Sequence, residues 1–195
     1  HDYNLSPEEI KNMLPEVVKD LTNTTDLMEN LLQWAKSQMK GEVVAPDVID
    51  LSEITNGIFK VLRLQAEAKQ IQLTLSSKEA TYAFADKGMM ETVIRNLVSN
   101  AIKFTPQNGS VQVSITDKKE GIEVQVSDTG VGMDDETMKR IFSGDYFTTK
   151  GTSNESGTGL GLMICNDFIR KNDGTLSVES TPGAGTSFTF TVPKA

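Results

Sequence analysis

The sequence has little cysteine, a single histidine and no long apolar run, and each shortage excludes a class of protein. One cysteine, Cys165, excludes an intramolecular disulfide framework and any metal site built from several cysteines. It lies in an apolar helical pattern, so we expect a buried, unreactive thiol. No apolar stretch is long enough to cross a bilayer, and no signal peptide is recognisable. We therefore expect a cytoplasmic chain that would reach a membrane only through segments outside this sequence.

Basic residues are also outnumbered by acidic residues. The formal net charge of -8 would repel a phosphate backbone on average, so we expect no nucleic-acid partner. With 37% hydrophobic and 24% charged residues, the chain is globular and has enough apolar material for a core. A length of 195 residues accommodates one large domain, or a compact domain with an appendage.

The N-terminal part predicts one long helix. Ser6 and Pro7 are typical of a helix start, and apolar residues then alternate at steps of three and four as far as Ala35. An apolar stripe of this kind (a seam) is buried only against a partner helix, and the sequence contains no second helix of that type. The partner is therefore absent or belongs to another subunit. We assign residues 1–41 to this helical region, 42–47 to a linker and 48–195 to a compact domain.

The compact domain alternates helices with strands that pair mainly as hairpins. We expect Ser52 and Asp86 to be the N-caps of its first two helices. Hairpin pairing favours a two-layer α/β sandwich of the α+β class over a parallel, doubly wound sheet. Helices are predicted at 51–69, from 86 through 101, at 134–142 and from the glycines at 157–161 to 171. Strands are predicted at 71–75, 81–85, 111–115, 122–126, 175–180 and 186–192, and a mobile loop at 143–156.

One helical stretch, Asn96–Thr105, carries an unusual polar face. Asn96, Asn100 and Lys103 recur at steps of three and four residues, so they share one side of the helix. Two carboxamides and an ammonium group suit a hard cation and phosphates, because an amide oxygen can ligate the metal while lysine balances the charge. Taken alone, the face is equally compatible with simple solvation. The assignment therefore depends on the glycine-rich segments that follow.

Three alternate glycines, Gly157, Gly159 and Gly161, lead into a predicted helix. Such glycines let backbone N–H groups approach an anion at a helix N-terminus. Their spacing matches neither the P-loop pattern G-x-x-x-x-G-K-[ST] nor the dinucleotide fingerprint G-x-G-x-x-G. As an isolated feature they indicate a turn as readily as a phosphate site.

In combination, four motifs resemble those of sensor histidine kinases and stand in that family's order. Asn96–Thr105 resembles the N box, Asp128–Gly132 the G1 box, Gly157–Gly161 the G2 box and Gly183–Thr186 the final glycine motif. The resemblance covers the compact domain and implies the Bergerat ATP-binding fold shared with gyrase, Hsp90 and MutL. It also implies that the N-terminal helix corresponds to the second helix of the dimerisation and phosphotransfer hairpin.

The resemblance implies a role for each motif residue. Asn100 would ligate Mg²⁺, Asn96 would line the phosphate pocket, and Lys103 would contact the phosphates of ATP; these three are the candidate catalytic residues. Asp128 would accept a hydrogen bond from the adenine amino group, which discriminates against guanine. The other expected nucleotide contacts are Phe104, Gly130, Gly132, Gly157, Thr158, Gly159, Leu160, Gly161 and Thr186.

Asn96 distinguishes transfer of a phosphoryl group from its hydrolysis. Hydrolysing relatives typically place glutamate at this position, four residues before the metal-binding asparagine, as a base for water. A carboxamide cannot take a proton, which favours a kinase. The alternatives are a hydrolysing ATPase of the same fold and an interaction module with a vestigial pocket. Phe142 and Phe147 resemble the family's F box only loosely, with core packing an equal alternative, and Lys150 is a weak candidate phosphate contact.

His1, the only histidine, is not expected to accept a phosphoryl group. The residues after it lack the Leu-Arg-x-Pro continuation of the family's H box, and only one of the two hairpin helices follows. The resemblance implies a full-length homodimer that transfers the γ-phosphoryl group of ATP to a histidine and then to an aspartate of a response regulator receiver domain. We therefore expect this chain to bind Mg·ATP without an acceptor of its own.

Overall fold

The structure is a computed structural model that describes residues 44–77, 81–141, 149–153 and 159–195, together with isolated positions elsewhere. The isolated positions between 8 and 35 are all helical and exposed, as expected of one N-terminal helix. Among the predicted seam residues, Leu14, Val17, Leu21 and Met28 have exposed side chains. His1, Phe142, Phe147 and Thr158 lie outside the described residues, as does most of the loop predicted at 143–156.

The compact part contains the following described elements in chain order: β1 Pro46–Asp50, α1 Leu51–Ala68, β2 Gln72–Ser77, β3 Tyr82–Asp86, α2 Lys87–Phe104, β4 Ser110–Lys118, β5 Gly121–Asp128, α3 Asp135–Ile141, α4 Gly161–Lys171, β6 Leu176–Thr181 and β7 Gly185–Val192.

Within the described residues, five strands form one mixed sheet in the order β2-β4-β5-β7-β6. Its β2–β4 pair is parallel, and the remaining pairs are antiparallel. One side of the sheet is apolar because alternate residues point to the same face, with Val111, Val113, Val124 and Val126 all buried. The buried faces of α1, α2 and α4 belong to the same core. The predicted two-layer α+β sandwich is confirmed.

The strand β1 was not predicted. It pairs antiparallel with β3, from Pro46 opposite Asp86 to Asp50 opposite Tyr82, in a separate two-stranded sheet. Its first two residues fall within the segment assigned to a linker at 42–47. The sequence signal is weak because proline and two aspartates disfavour strands, and the pairing partner lies more than thirty residues away in the chain.

The N-cap of α1 is Asp50, so the prediction of Ser52 was wrong. Asp50 Oδ1 accepts hydrogen bonds from the backbone N–H groups of Ser52 (2.8 Å) and Glu53 (3.2 Å). The Ser52 hydroxyl instead pairs with the Ser77 hydroxyl at 2.9 Å. Because β1 runs directly into α1, its last residue has the extended backbone that an N-cap needs. The predicted cap of α2 is confirmed, since Asp86 Oδ1 accepts from the Met89 N–H at 3.0 Å.

Asn172, at the end of α4, links this helix by a hydrogen bond to the junction of β3 and α2. Its side-chain oxygen accepts from the Asp86 N–H at 2.7 Å, and its Nδ2 donates to the Phe168 carbonyl at 2.8 Å. The residue is only 4% exposed. The sequence alone offered no reason to select it, because asparagine after a helix is normally a surface residue.

We expect Asn172→Ala to lower the free energy of unfolding by about 2 kcal/mol, since it leaves the Asp86 N–H without its acceptor. Urea denaturation followed by circular dichroism measures the change. Asn56→Ala, at an exposed position in α1, is the matched control. A loss below about 0.5 kcal/mol, the range of ordinary surface substitutions, would show that this tie contributes little.

Candidate functional site

The helix α2 positions the polar residues of the site. Its apolar repeat at Met89, Val93, Leu97 and Ala101 is buried in the core, as the sequence predicted. Burial of that stripe fixes how the helix is rotated about its axis. Asn96, Asn100 and Lys103 are each half-buried, at the edge of the core rather than in open solvent. These three side chains therefore stand at the rim of the core, and their role toward a ligand stays a prediction.

Asn96 lies beneath the first residue of α4. A Cβ atom added to Gly161 would be 3.5 Å from Asn96 Oδ1, so the structure brings the N box and the G2 box together. The Nδ2 atom of Asn96 is buried and makes no hydrogen bond with any described residue. Buried amide donors are normally satisfied. The neighbouring group that interacts with this side chain is the Cys165 thiol, and sulfur is a weak acceptor.

Cys165 packs under the same asparagine. Burial raises the pKa of its thiol to about 12, although an interaction with the Asn96 side chain opposes the shift. The Sγ atom lies 3.8 Å from the Val93 carbonyl oxygen. The prediction of a buried, unreactive thiol is confirmed, because the thiolate is inaccessible at neutral pH.

Lys103 is held at the C-terminal end of α2. Its Nζ donates to the carbonyl oxygen of Thr149 at 2.9 Å and lies 4.7 Å from the centroid of the Phe104 ring. Burial lowers the pKa of Lys103, and the nearby charge of Glu155 opposes this shift. The ammonium group is thus partly desolvated, which strengthens its interaction with any anion that reaches it.

Asp128, at the end of β5, connects the G1 box to the final glycine motif. Its Oδ1 atom accepts from the N–H groups of Gly130 at 2.8 Å and Thr186 at 3.2 Å. Neither bond uses Oδ2, and no described residue donates to that atom. Burial raises the pKa of Asp128, although these two N–H groups oppose the shift. The carboxylate is therefore oriented by the protein and keeps one oxygen for a ligand.

Gly130 brings the G1 segment into contact with the end of α2. A Cβ atom there would lie 2.5 Å from Asp128 Oδ1 and 2.6 Å from the Phe104 carbonyl oxygen, so no larger residue fits. The same carbonyl accepts from the Val131 N–H at 3.1 Å. This glycine is required by the packing of the protein itself, in addition to any approach of a base.

The other predicted site residues are placed as follows. Gly157, Gly159 and Leu160 precede α4, which begins only at Gly161, and all are half-buried. The Thr186 hydroxyl pairs with the Ser180 hydroxyl at 2.9 Å, in the β6–β7 hairpin. Lys150 is exposed and is not brought into contact with the other site residues by any described bond. Gly132 has a positive φ of 67°.

Lys69 was missed by the sequence analysis. It directly follows α1, and its Nζ donates to the carbonyl oxygens of Ile102 (2.7 Å) and Lys103 (3.0 Å) at the end of α2. Its side chain is only 11% exposed. A lysine after a helix is normally a solvated charge, so no sequence signal distinguished it.

Neither a multidentate metal site nor a membrane span is found in the part of the chain that the structure describes. No three His, Cys, Asp or Glu side chains cluster there as ligands. Among the described helices, none combines the length and apolar character needed to cross a bilayer.

Comparison with known proteins identifies the family. Residues 85–195 match the family described as histidine kinase-, DNA gyrase B- and HSP90-like ATPases. Among curated proteins, the sensor-like histidine kinase SenX3 of Mycolicibacterium smegmatis is 27% identical over 189 residues, which cover 96% of this chain and 49% of that protein. The chain thus spans about half the length of this relative.

Solved structures agree with this match. The catalytic domain of the histidine kinase ThkA is 30% identical, with a TM-score of 0.68 over 77% of this chain and 96% of that chain. ThkA in complex with the response regulator protein TrrA aligns with 100% of this chain and 54% of that chain, with a TM-score of 0.77. At 23% identity the second likeness shows the fold alone. The chain therefore belongs to the histidine kinase-, DNA gyrase B- and HSP90-like ATPase family, and within it is the catalytic ATP-binding domain of a sensor histidine kinase.

Proposed function

We propose that residues 48–195 bind Mg·ATP and that, in the longer protein, its γ-phosphoryl group is transferred to a histidine of a dimerisation helix. An aspartate of a response regulator receiver domain would receive it next. The longer protein would be a homodimer through the helical hairpin to which residues 1–41 belong, and its catalytic part would lie in the cytoplasm. The observation that carries the proposal is that the described motif residues meet around α2. Gly161 approaches Asn96, Gly130 packs against the Phe104 carbonyl oxygen, and Asp128 bonds to Thr186.

The adenine end of the site would be Asp128. Its Oδ1 is held by two backbone N–H groups, so Oδ2 is the oxygen available for the exocyclic amino group of adenine. A carboxylate only accepts hydrogen bonds, and guanine presents a carbonyl oxygen at the corresponding position. The arrangement therefore favours adenine over guanine. Gly130 and Thr186 hold this carboxylate through their N–H groups, and the Phe104 carbonyl oxygen packs against Gly130. Phe104 and Gly132 would border the base.

The phosphate end would be formed by the polar face of α2 and the start of α4. The Asn96 side chain would line the phosphate pocket, and the partly desolvated ammonium group of Lys103 would balance phosphate charge. Backbone N–H groups from Gly157 to Gly161, Thr158 included, would contact phosphates at the N-terminus of α4. Asn100 would hold Mg²⁺ through its amide oxygen. The bound ion would neutralise charge on the β- and γ-phosphates and align the group that is transferred.

Transfer is favoured over hydrolysis by the chemistry of Asn96. A base for water must accept a proton, and a carboxamide cannot do so at any accessible pH. The Asn96 side chain projects from α2 toward Gly161, where it would orient a phosphate without activating a nucleophile. The nucleophile must therefore come from elsewhere, which fits a histidine on a separate helix.

Incubation of the chain with γ-labelled Mg·ATP tests the proposal. We expect ATP binding, no label on the protein and negligible phosphate release, because His1, the only histidine, is not expected to accept the phosphoryl group. A longer version that includes the acceptor helix should acquire acid-labile label. Rapid phosphate release would instead identify a hydrolase, absence of ATP binding a vestigial site, and acid-labile label on the present chain an acceptor role for His1.

A further inference from the structure

Four oxygen atoms from two separate parts of the chain converge on the ammonium group of Lys69. Besides the carbonyl oxygens of Ile102 and Lys103, its Nζ donates to Thr152 Oγ1 at 2.6 Å and Glu155 Oε1 at 3.0 Å. An ammonium group has only three hydrogens, so at least one of them is shared. We call Lys69, Thr152 and Glu155 the Lys69 anchor. None of these residues belongs to the motifs of the site.

On one side, the anchor holds the C-terminal end of α2. The last carbonyl groups of a helix have no partner within the helix, and a cation placed there is favourable for the helix dipole. Lys69 satisfies two of them, on Ile102 and Lys103, with a nearly buried charge. The backbone at Lys103 is therefore held by hydrogen bonds from a residue at the end of α1.

On the other side, the anchor holds the segment that precedes the G2 glycines. Thr152 donates its backbone N–H to the Lys103 carbonyl at 3.0 Å, and its hydroxyl lies 2.9 Å from the Thr105 carbonyl oxygen. The Glu155 carboxylate accepts from the Ser153 N–H at 2.7 Å, and its carbonyl accepts from the Gly151 N–H at 2.9 Å. Residues 149–153 and Glu155 are thus bonded to one another and to the end of α2.

The end of α2 and the chain before the G2 glycines are in contact at Lys103. A Cβ atom at Gly151 would lie 2.5 Å from Lys103 Cγ, so only glycine allows this close approach. Burial would raise the pKa of Glu155, but hydrogen bonds and the charge of Lys69 outweigh it, and the pKa is lowered. Glu155 is therefore ionised at neutral pH and faces both lysines. It lies two residues before Gly157, the first glycine of the G2 box.

We propose that Lys69 is a positioning residue for the phosphate end of the site. It ties Thr152 and Glu155 to the end of α2. This tie sets the direction of the Lys103 side chain and the position of the chain just before the G2 glycines. The inference rests on the proposed binding of Mg·ATP. The expected effect is confined to phosphate binding, because the Lys69 anchor adjoins the phosphate end. Asp128, at the adenine end, is held by Gly130 and Thr186 and does not contact the anchor.

Lys69→Met tests this inference, because methionine keeps the unbranched apolar stem and removes the charge. We expect the affinity for Mg·ATP to fall about tenfold, the effect of losing one charge-assisted hydrogen bond. The affinity for adenosine should stay unchanged. Calorimetric titration measures both affinities. Lys60→Met, at an exposed position in α1, is the matched control and should change neither. A residue that only stabilises the fold would not alter the ratio of the two affinities.

Limited trypsin digestion gives a readout that needs no nucleotide. The bond after Lys150 lies inside the anchored segment, next to the backbone hydrogen bonds of Gly151 and Thr152. We expect Lys69→Met to accelerate cleavage there severalfold at a temperature where both proteins are fully folded. If Lys69→Met does not fold, Thr152→Val is the second variant, since it removes one hydrogen-bond acceptor of Lys69 at an exposed position. We expect a smaller loss of Mg·ATP affinity and a smaller rise in the cleavage rate.

The outcomes separate this inference from the proposed function. If the unmodified chain binds Mg·ATP and both anchor variants retain its affinity and its cleavage rate, the positioning role is refuted. If the ATP and adenosine affinities fall together, Lys69 acts only on stability and the inference is also refuted. If the unmodified chain binds no Mg·ATP, the proposed function fails, and the cleavage rate still decides whether Lys69 holds the segment.

Discussion

Replacing Asn100 with alanine should abolish the dependence of ATP binding on Mg²⁺. In the proposed site its amide oxygen is the protein ligand to the ion, and the described residues contain no carboxylate cluster that could replace it. We expect the affinity for Mg·ATP to fall about a hundredfold, which corresponds to about 3 kcal/mol. Isothermal titration with ATP, in the presence and absence of Mg²⁺, measures the effect.

The fold should survive this substitution. Asn100 is half-buried at the edge of the core, and alanine is a better helix former than asparagine. Asn56→Ala, the same change at an exposed position of α1, is the control and should leave binding unaffected. If Asn100→Ala binds Mg·ATP as tightly as the unmodified chain, Asn100 is not the metal ligand.

Replacing Asp128 with asparagine should weaken ATP binding and relax the choice of base. The amide can no longer present two accepting oxygens, and its NH₂ group would oppose the adenine amino group while it can donate to the carbonyl oxygen of guanine. We expect the ATP affinity to fall by about ten- to a hundredfold and the preference for ATP over GTP to shrink by more. Competition of ATP and GTP against a fluorescent ATP analogue measures both.

The same substitution should not destabilise the chain without nucleotide. Because burial raises the pKa of Asp128 above its ordinary 3.8, ionisation at neutral pH costs the folded state free energy. That cost is absent below the ordinary pKa and appears as the pH rises through the folded-state pKa. Asparagine carries no charge, so the free energy of unfolding at pH 7 should stay equal or rise.

ATP binding should also depend on this carboxyl group at acidic pH. Protonation of Asp128 removes its charge, so the affinity of the unmodified chain should begin to fall at a higher pH than an exposed aspartate would cause. Asp128→Asn lacks this titration and reports any protonation of the nucleotide itself. Asp117→Asn, on an exposed carboxylate near the opposite end of β5, is the matched control. Identical pH profiles for Asp128→Asn and the unmodified chain would refute the role of this carboxylate.

The local elements were largely predictable because their signals are local. Periodic apolar residues indicated α2 and its buried face, alternation indicated the β4–β5 hairpin, and an aspartate before the periodic run indicated the cap at Asp86. The polar face of α2 and the alternate glycines were selected from side-chain chemistry at short spacings, whereas the other motif residues are those that the family resemblance implies. Their individual roles stay predictions until nucleotide binding is measured.

Non-local contacts were not predictable. The strand β1 exists because β3 pairs with it, and the extended backbone at its end makes Asp50, rather than Ser52, the cap of α1. Lys69 looked like an ordinary charge after a helix, yet two carbonyl groups of α2 and two side chains of the 149–155 segment surround it.

The sequence by itself determined the α+β class and the family, since both depend on residue types at short separations, and the nucleotide contacts that the resemblance implies stay predictions. Only the tertiary structure decided how these residues are supported: which oxygen of Asp128 is occupied, what lies over Asn96, and which lysine holds the end of α2. The physical reason is that hydrogen-bond partners far apart in the chain are chosen by the packing of whole elements, and packing leaves no short-range pattern in the sequence.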